Sequence, residues 1–262
     1  MTLSTRVLGV SVWGPGLEGW AAARPVLAGE RAYVPTDAAA PPPALLPATE
    51  RRRTGAVVRL ALVAAHEAAL ASGVPAGSLR AVFGSSNGDG PVIGTILDAL
   101  ATAAPGERVV SPTLFHNSVH NAPAGYWSIA TGSHRPATCI GCNDDTWAAS
   151  LLVAMADPGD GPVLLCCYDH PLPVPLSATR PTGPAFGAAL VLGDGPGPVL
   201  RVAHHRAAAP PPVLPLDPAL QALATANPAA RALHLLAALA RGEAFRFDLP
   251  YLQGRLSIEI AP

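Results

Sequence analysis

The chain has 262 residues, half of them hydrophobic, enough for a sizeable core in one large domain or two small ones. Only 13% of residues are charged and the formal net charge is −1, which argues against nucleic acid or anionic membrane as the main partner. All 17 basic residues are Arg, so no mechanism can draw on a Schiff-base or ammonium lysine of this chain.

Arg6 to Trp13 reads as a buried strand, ended by Gly14-Pro15-Gly16. Ala38 to Pro47 is Pro-rich and is expected to be extended and exposed. Arg51 to Ser72 carries Val57, Leu60, Val63 and Leu70 at helical spacing and stops at Gly73. Leu79 to Phe83 is a short strand running into the glycine-rich stretch Gly84 to Gly90, and Val92 to Ala103 follows as a helix. Ser111-Pro112 resets the chain. Asn117 to Ala130 then reads as one apolar helix with a possible kink at Pro123.

A strand from Ala137 to Cys142, a helix from Asp144 to Ala156 and a strand from Val163 to Tyr168 come next, with a loop from Pro171 to Pro184. Phe186 to Leu192 and Val199 to Ala203 suggest two antiparallel strands joined at Gly193-Asp194-Gly195. After a linker at Pro210 to Pro215, a helix over Ala229 to Ala240 ends at Gly242, and Ala244 to Leu249 with Leu256 to Ile260 would close a hairpin. Strands alternating with helices predict an α/β protein with a mixed sheet.

The cysteines fall as two close pairs, Cys139/Cys142 and Cys166/Cys167, unlike a framework of distant bridges, so a reducing cytoplasm is expected. Val7 to Trp13 is too short for a secretory signal, and the best apolar run, Ala56 to Ala71, is interrupted by Arg59, His66 and Glu67, so no membrane span is expected.

Four groups of residues invite a chemical reading. Gly84 to Gly90 has the strand-loop-helix context of a phosphate cradle, yet it lacks the Walker lysine and the dinucleotide spacing, so a tight loop is favoured. Cys139 and Cys142 form a CxxC, and zinc would need a second ligand pair, which His116 and His120 at i, i+4 could supply. Because Cys139 and Ile140 sit in an apolar strand, cysteine acting as a small hydrophobe is the preferred reading, and neither metal nor cofactor is required. Cys166 and Cys167 belong in the core. His116, Asn117, His120 and Asn121 are a polar cluster that either lines a cavity or is buried with its hydrogen bonds satisfied. Ser85, Ser86 or Ser118 with a His would suggest a hydrolase, but no G-x-S-x-G elbow is present.

Ser111 to Ser150 is more specific. Ser111-Pro112, Asn121 with Ala124-Gly125 and Ser128-Ile129, then Gly132 and Pro136, resemble the nucleophile region of the β-ketoacyl synthases of the thiolase fold. Arg6 to Trp13, Val82 to Ser86 and Pro184 to Leu192 resemble the flanking strands, so the likeness spans most of Arg6 to Ala203. Within that family, Phe115 to Ser128 is similar to the short chain length factors of aryl polyene and xanthomonadin-type clusters, as is the closing segment Asn227 to Glu243.

The resemblance implies a thiolase-like fold, with residues 1–205 as the ketosynthase-like N-terminal domain and 206–262 as a linker, helix and hairpin packed on it. It places Asp144, followed by Asp145 and Thr146, where the family keeps its cysteine nucleophile; a carboxylate there would serve as a helix N-terminal anion and cap. Cys142 stands two residues too early. The family's later catalytic histidines and lysine come from a second half that this chain is too short to build. These departures imply a non-catalytic chain length factor that pairs with a true β-ketoacyl synthase, and through it serves an acyl carrier protein. The dimer strand would be Ala137, Thr138, Cys139, Ile140, Gly141 and Cys142. Phe115, His116, His120, Asn121 and Tyr126 would help bound the acyl cavity. A half-fold is also expected to leave apolar sheet and helix surface uncovered. Two alternatives stay open: a stand-alone acyl-transferring or hydrolytic enzyme using Cys142 with His116 or His120, and a zinc-binding interaction module.

Overall fold

The computed structural model describes residues 2–37, 39–104, 106–157, 159–206 and 215–262. In chain order the elements begin with β1 (Thr2–Gly14), β2 (Leu17–Glu18), α1 (Trp20–Leu27), α2 (Ala48–Arg51) and α3 (Ala56–Ser72). There follow β3 (Arg80–Gly84), α4 (Gly90–Thr102), α5 (Pro112–Ser118), α6 (Ala122–Thr131), β4 (Ala137–Ile140) and α7 (Thr146–Ala156). The remainder is β5 (Val163–Asp169), α8 (Leu176–Thr179), β6 (Phe186–Gly193), β7 (Val199–His205), α9 (Pro218–Ala226), α10 (Leu233–Arg241), β8 (Phe245–Tyr251) and β9 (Gly254–Ala261).

One nine-stranded mixed sheet runs β4-β3-β5-β6-β1-β7-β9-β8, with β2 paired to β1. Strands β3, β4 and β5 are parallel, as βα connections require, and the rest pair antiparallel. The central strands are apolar throughout because both faces are roofed. In β5, Val163, Leu165 and Cys167 face one core while Leu164, Cys166 and Tyr168 face the other. Helices α1, α7 and α10 cover the first face; α3 and α6 cover the second. The fold class is thus α/β with helices on both faces.

Helix α3 is buried almost all round, which explains its weak amphipathicity. It crosses β1 at Gly9, where a Cβ would strike the Ala68 carbonyl, and it ends at Gly73 in the left-handed conformation.

Several expectations are corrected. Phe186 to Leu192 and Val199 to Ala203 do not form a hairpin: β6 and β7 both pair antiparallel with β1, on opposite sides of it, and the chain steps over β1 at Arg6. A thirteen-residue strand offers two partners more ladder than the local turn offers either. Asn117 to Ala130 is two helices, not one. Pro123 lies in the first turn of α6, where its missing N–H costs nothing, so it starts a helix and does not kink one. The helix expected from Arg51 breaks between Arg52 and Gly55. Within Ala38 to Pro47, Pro43 and Leu46 are buried, although Ala38 itself lies outside the described residues. The linker at Pro210 to Pro215 lies outside them as far as residue 214. Among the described residues both sheet faces are roofed, by α1, α7 and α10 on one side and α3 and α6 on the other, so of the uncovered apolar sheet and helix surface expected of a half-fold it is helix surface that is exposed, at Leu97, Phe115 and Ile129. The β8–β9 hairpin, foreseen as a pair, extends the same sheet through β7.

Candidate functional site

The parallel strands β3, β4 and β5 end together, and the loops leaving them meet around Asp169, the last residue of β5. Its carboxylate Oδ1 accepts from Ser85 Oγ at 3.0 Å, from the Ser86 N–H at 2.8 Å and from the Asn87 N–H at 3.2 Å. The glycine-rich loop is therefore an anion cradle whose anion is a side chain of the same protein. Burial pushes the Asp169 carboxyl up to about 6, against the downward pull of those hydrogen bonds. Ser85 Oγ also accepts from the Gly88 N–H, and Ser118 Oγ donates to the Phe115 carbonyl, so both hydroxyls are structural.

Beside this loop, β4 runs into a sharp turn. Asn143 has φ +52, and the segment Asn143–Asp145 forms a single 3-10 turn ahead of α7. Asp144 lies on that turn with its side chain 58% exposed. Its Oδ1 accepts from Arg180 at 2.8 Å, and Arg231 stands 3.8 Å from Oδ2. Arg180 continues inward to Asn87 Oδ1 and Ser86 Oγ, tying the turn to the cradle. Asp144 and Arg180 line a cavity of about 790 Å³ together with Asn143, Thr182, Thr225 and Arg231. The expected capping role is corrected: Asp144 turns to the two guanidiniums, which hold it more strongly than a lone amide. No side chain caps α7; Thr146, its first residue, ties the turn together instead, its hydroxyl accepting from the Cys142 N–H and donating to the Asn143 carbonyl. Asp145 is paired with Arg231 at 3.3 Å and accepts from the Leu252 N–H, anchoring the β8–β9 turn.

The other singled-out residues lie apart. Phe115, His116 and Asn121 are exposed, His120 is half-buried, and Tyr126 is buried with its hydroxyl 3.1 Å from Asn117 Oδ1. His116 packs edge-on against Tyr126, whereas His120, beyond the end of α5, places Nε2 2.9 Å from the Ser85 carbonyl. The helix break thus separates the two imidazoles that an unbroken helix would have aligned. Among the described residues no three His, Cys, Asp or Glu side chains are grouped to hold a metal, so Cys139, Cys142, His116 and His120, the ligand set of the alternative zinc reading, do not come together. All four cysteines are free. Burial raises the Cys139 thiol and pushes Cys167 up to about 12, the opposite of thiolate activation. Ala137, Thr138, Cys139 and Ile140 form the terminal strand of the sheet, paired on one side only, to β3; Gly141 and Cys142 belong to the turn. No helix of the described residues is long and apolar enough to cross a membrane.

Asp169, Arg180 and Arg231 were missed by sequence reasoning. Asp169 carried one signal, a charged residue closing an apolar run at the carboxyl end of a parallel strand. The arginines carried none.

Residues 26–246 match the family model described as "Beta-ketoacyl synthase, N-terminal domain", and the chain belongs to that family. Its fold is similar to that of a ketosynthase (ApeO) in complex with its chain length factor (ApeC) from Xenorhabdus doucetiae, with a TM-score of 0.73 and 19% identity over 98% of this chain and 99% of that chain. It is also similar to the ishigamide ketosynthase/chain length factor, with a TM-score of 0.67 and 17% identity over 98% of each chain. For a β-ketoacyl synthase from Burkholderia phymatum STM815 the TM-score is 0.58 and the identity 15%, over 74% of this chain and 60% of that chain. No curated protein matches the chain. The fold is the thiolase-like ketosynthase fold.

Proposed function

We propose that the chain is a non-catalytic chain length factor: a ketosynthase-like subunit that heterodimerises with a true β-ketoacyl synthase during polyene or polyketide chain elongation. The observation that carries this reading is Asp144. At the turn where the family resemblance calls for a thiol, the chain presents a carboxylate neutralised by Arg180 and Arg231. A carboxylate so held is a poor nucleophile, and its acyl product would be a labile anhydride. The extent of the structural matches points the same way: the chain is coextensive with chains from two ketosynthase/chain length factor structures but spans 60% of a β-ketoacyl synthase chain.

The partner's seat would be the open edge of β4 with the apolar surface beside it. Phe115 is 64% exposed, and Leu97 on α4, Val119 after α5 and Ile129 on α6 are exposed as well. Exposed apolar side chains on the successive neighbours α4, α5 and α6, the last of which borders β4 with its open edge, favour burial by a second subunit. In that complex Phe115, His116, His120, Asn121 and Tyr126 would help bound the acyl cavity, and the carrier protein would engage through the ketosynthase.

Co-expression with a ketosynthase of the same pathway tests the reading. The expected result is a 1:1 complex by light scattering that Phe115→Asp with Val119→Asp dissolves while leaving the fold intact. A chain that stays monomeric beside its ketosynthase contradicts it.

A further inference from the structure

The apolar surface on α4, α5 and α6 carries a pattern of charge as well. At the end of α2 the chain runs Glu50-Arg51-Arg52-Arg53, three positive charges against one negative. Arg52 and Arg53 are exposed and Arg51 is half-buried. Glu50 stands 3.4 Å from Arg53, an i, i+3 contact that leaves the Arg53 side chain 62% exposed. Such a pair is screened by water and holds neither charge in place. Arg51 and Arg52 form no ion pair among the described residues. Asp89, which lies against Gly55, is buried and presents no charge at the surface.

This basic run is fastened to the helices of the apolar patch. Asn117 Nδ2 on α5 donates to the Arg53 carbonyl at 2.9 Å, and Thr54 Oγ1 donates to the Arg51 carbonyl at 2.8 Å. The Tyr126 hydroxyl of α6 is pushed above its ordinary value first by burial and then by the Glu50 charge, with Arg53 pulling the other way, so both side chains lie beside α6. Gly55 sits next to Val92 in the first turn of α4. The arginines are thereby held against the three helices that expose Leu97, Phe115 and Ile129.

The opposite sign stands further along α4. Asp98 follows Leu97, is exposed like it, and lies about 9 Å of helix beyond Val92. Glu107 and Arg108, exposed side by side after α4, cancel. An anionic bilayer would attract the arginines and repel Asp98, whereas the surface of a folded protein can answer both signs.

We propose that Arg51, Arg52 and Arg53 steer and orient the ketosynthase partner by meeting an acidic patch on its surface, with a basic group of the partner set against Asp98. The inference rests on the subunit reading given above. Apolar burial holds the complex together, and the two charged flanks set how fast and which way round the partner lands.

Association kinetics of the full chain with the ketosynthase of its pathway are the test. The wild-type association rate should fall about tenfold between about 0.05 M and about 0.5 M salt. At the lower salt, Arg52→Glu with Arg53→Glu should slow association about tenfold while dissociation changes less than about twofold, and at the higher salt the difference should vanish. Asp98→Arg should slow it about threefold at low salt. The variants should keep the wild-type circular dichroism, because the Asn117 and Thr54 bonds go to backbone carbonyls. A salt-independent wild-type rate, or equal low-salt rates for the wild type and either variant, would overturn the inference while the complex, and with it the subunit reading, stands. A wild type that forms no complex would overturn both. Binding of the isolated chain to phosphatidylglycerol vesicles, lost in the double variant, would overturn the inference in favour of a bilayer.

Discussion

Asp169 and Asp144 are acids bound by the same loop system, and they are held in opposite ways. Asp169 is fully buried and grips the amides of Ser86 and Asn87 and the Ser85 hydroxyl. Asp144 stands 58% exposed and is gripped by long flexible guanidiniums. A buried acceptor that satisfies several donors is architecture, because its loss orphans all of them at once. An exposed ion pair adds little to stability but sets the chemistry of the surface it occupies.

That contrast sets the scale of four expected outcomes. Asp169→Ala should lose about 2–4 kcal/mol in chemical denaturation, since three donors lose their acceptor in a dry site. Asp169→Asn keeps an acceptor and removes the titration. The folded chain holds the Asp169 proton more tightly than the unfolded chain does, so stability falls as pH rises from the ordinary value of 3.8 through about 6, then levels. Relative to Asp169→Asn, the wild type should lose about 2 kcal/mol between about pH 4 and pH 7. Gly84→Ala, at the strand end just before the cradle, would press a Cβ into Ser150 and to 2.7 Å from the Cys167 sulfur, and should cost about 1–3 kcal/mol. Asp144→Ala should change stability by less than about 0.5 kcal/mol, and a larger loss would erase the distinction between the two acids.

The same contrast explains what could be read from the linear chain. Apolar runs such as Val163 to Tyr168 and the helix ending at Gly73 announce themselves, because period and punctuation are local. So is the family signature from Phe115 to Ser128, which led to the fold. The β6–β1–β7 pairing was not legible, since Gly193-Asp194-Gly195 looks like a hairpin turn until β1 competes for both strands. Nor was the Asp144 clamp, which joins positions 36 and 87 residues apart. The break between His116 and His120 turned on Pro123, a residue whose meaning depends on which side of it the helix lies.

The central claim is that acyl chains are carried by a partner and not by this chain. Incubating the co-purified complex with acyl-loaded carrier protein and mapping acylated peptides by mass spectrometry tests it directly. The account predicts a thioester on the ketosynthase cysteine and none on this subunit. An acyl group on Cys142 would contradict it and make the chain a catalyst.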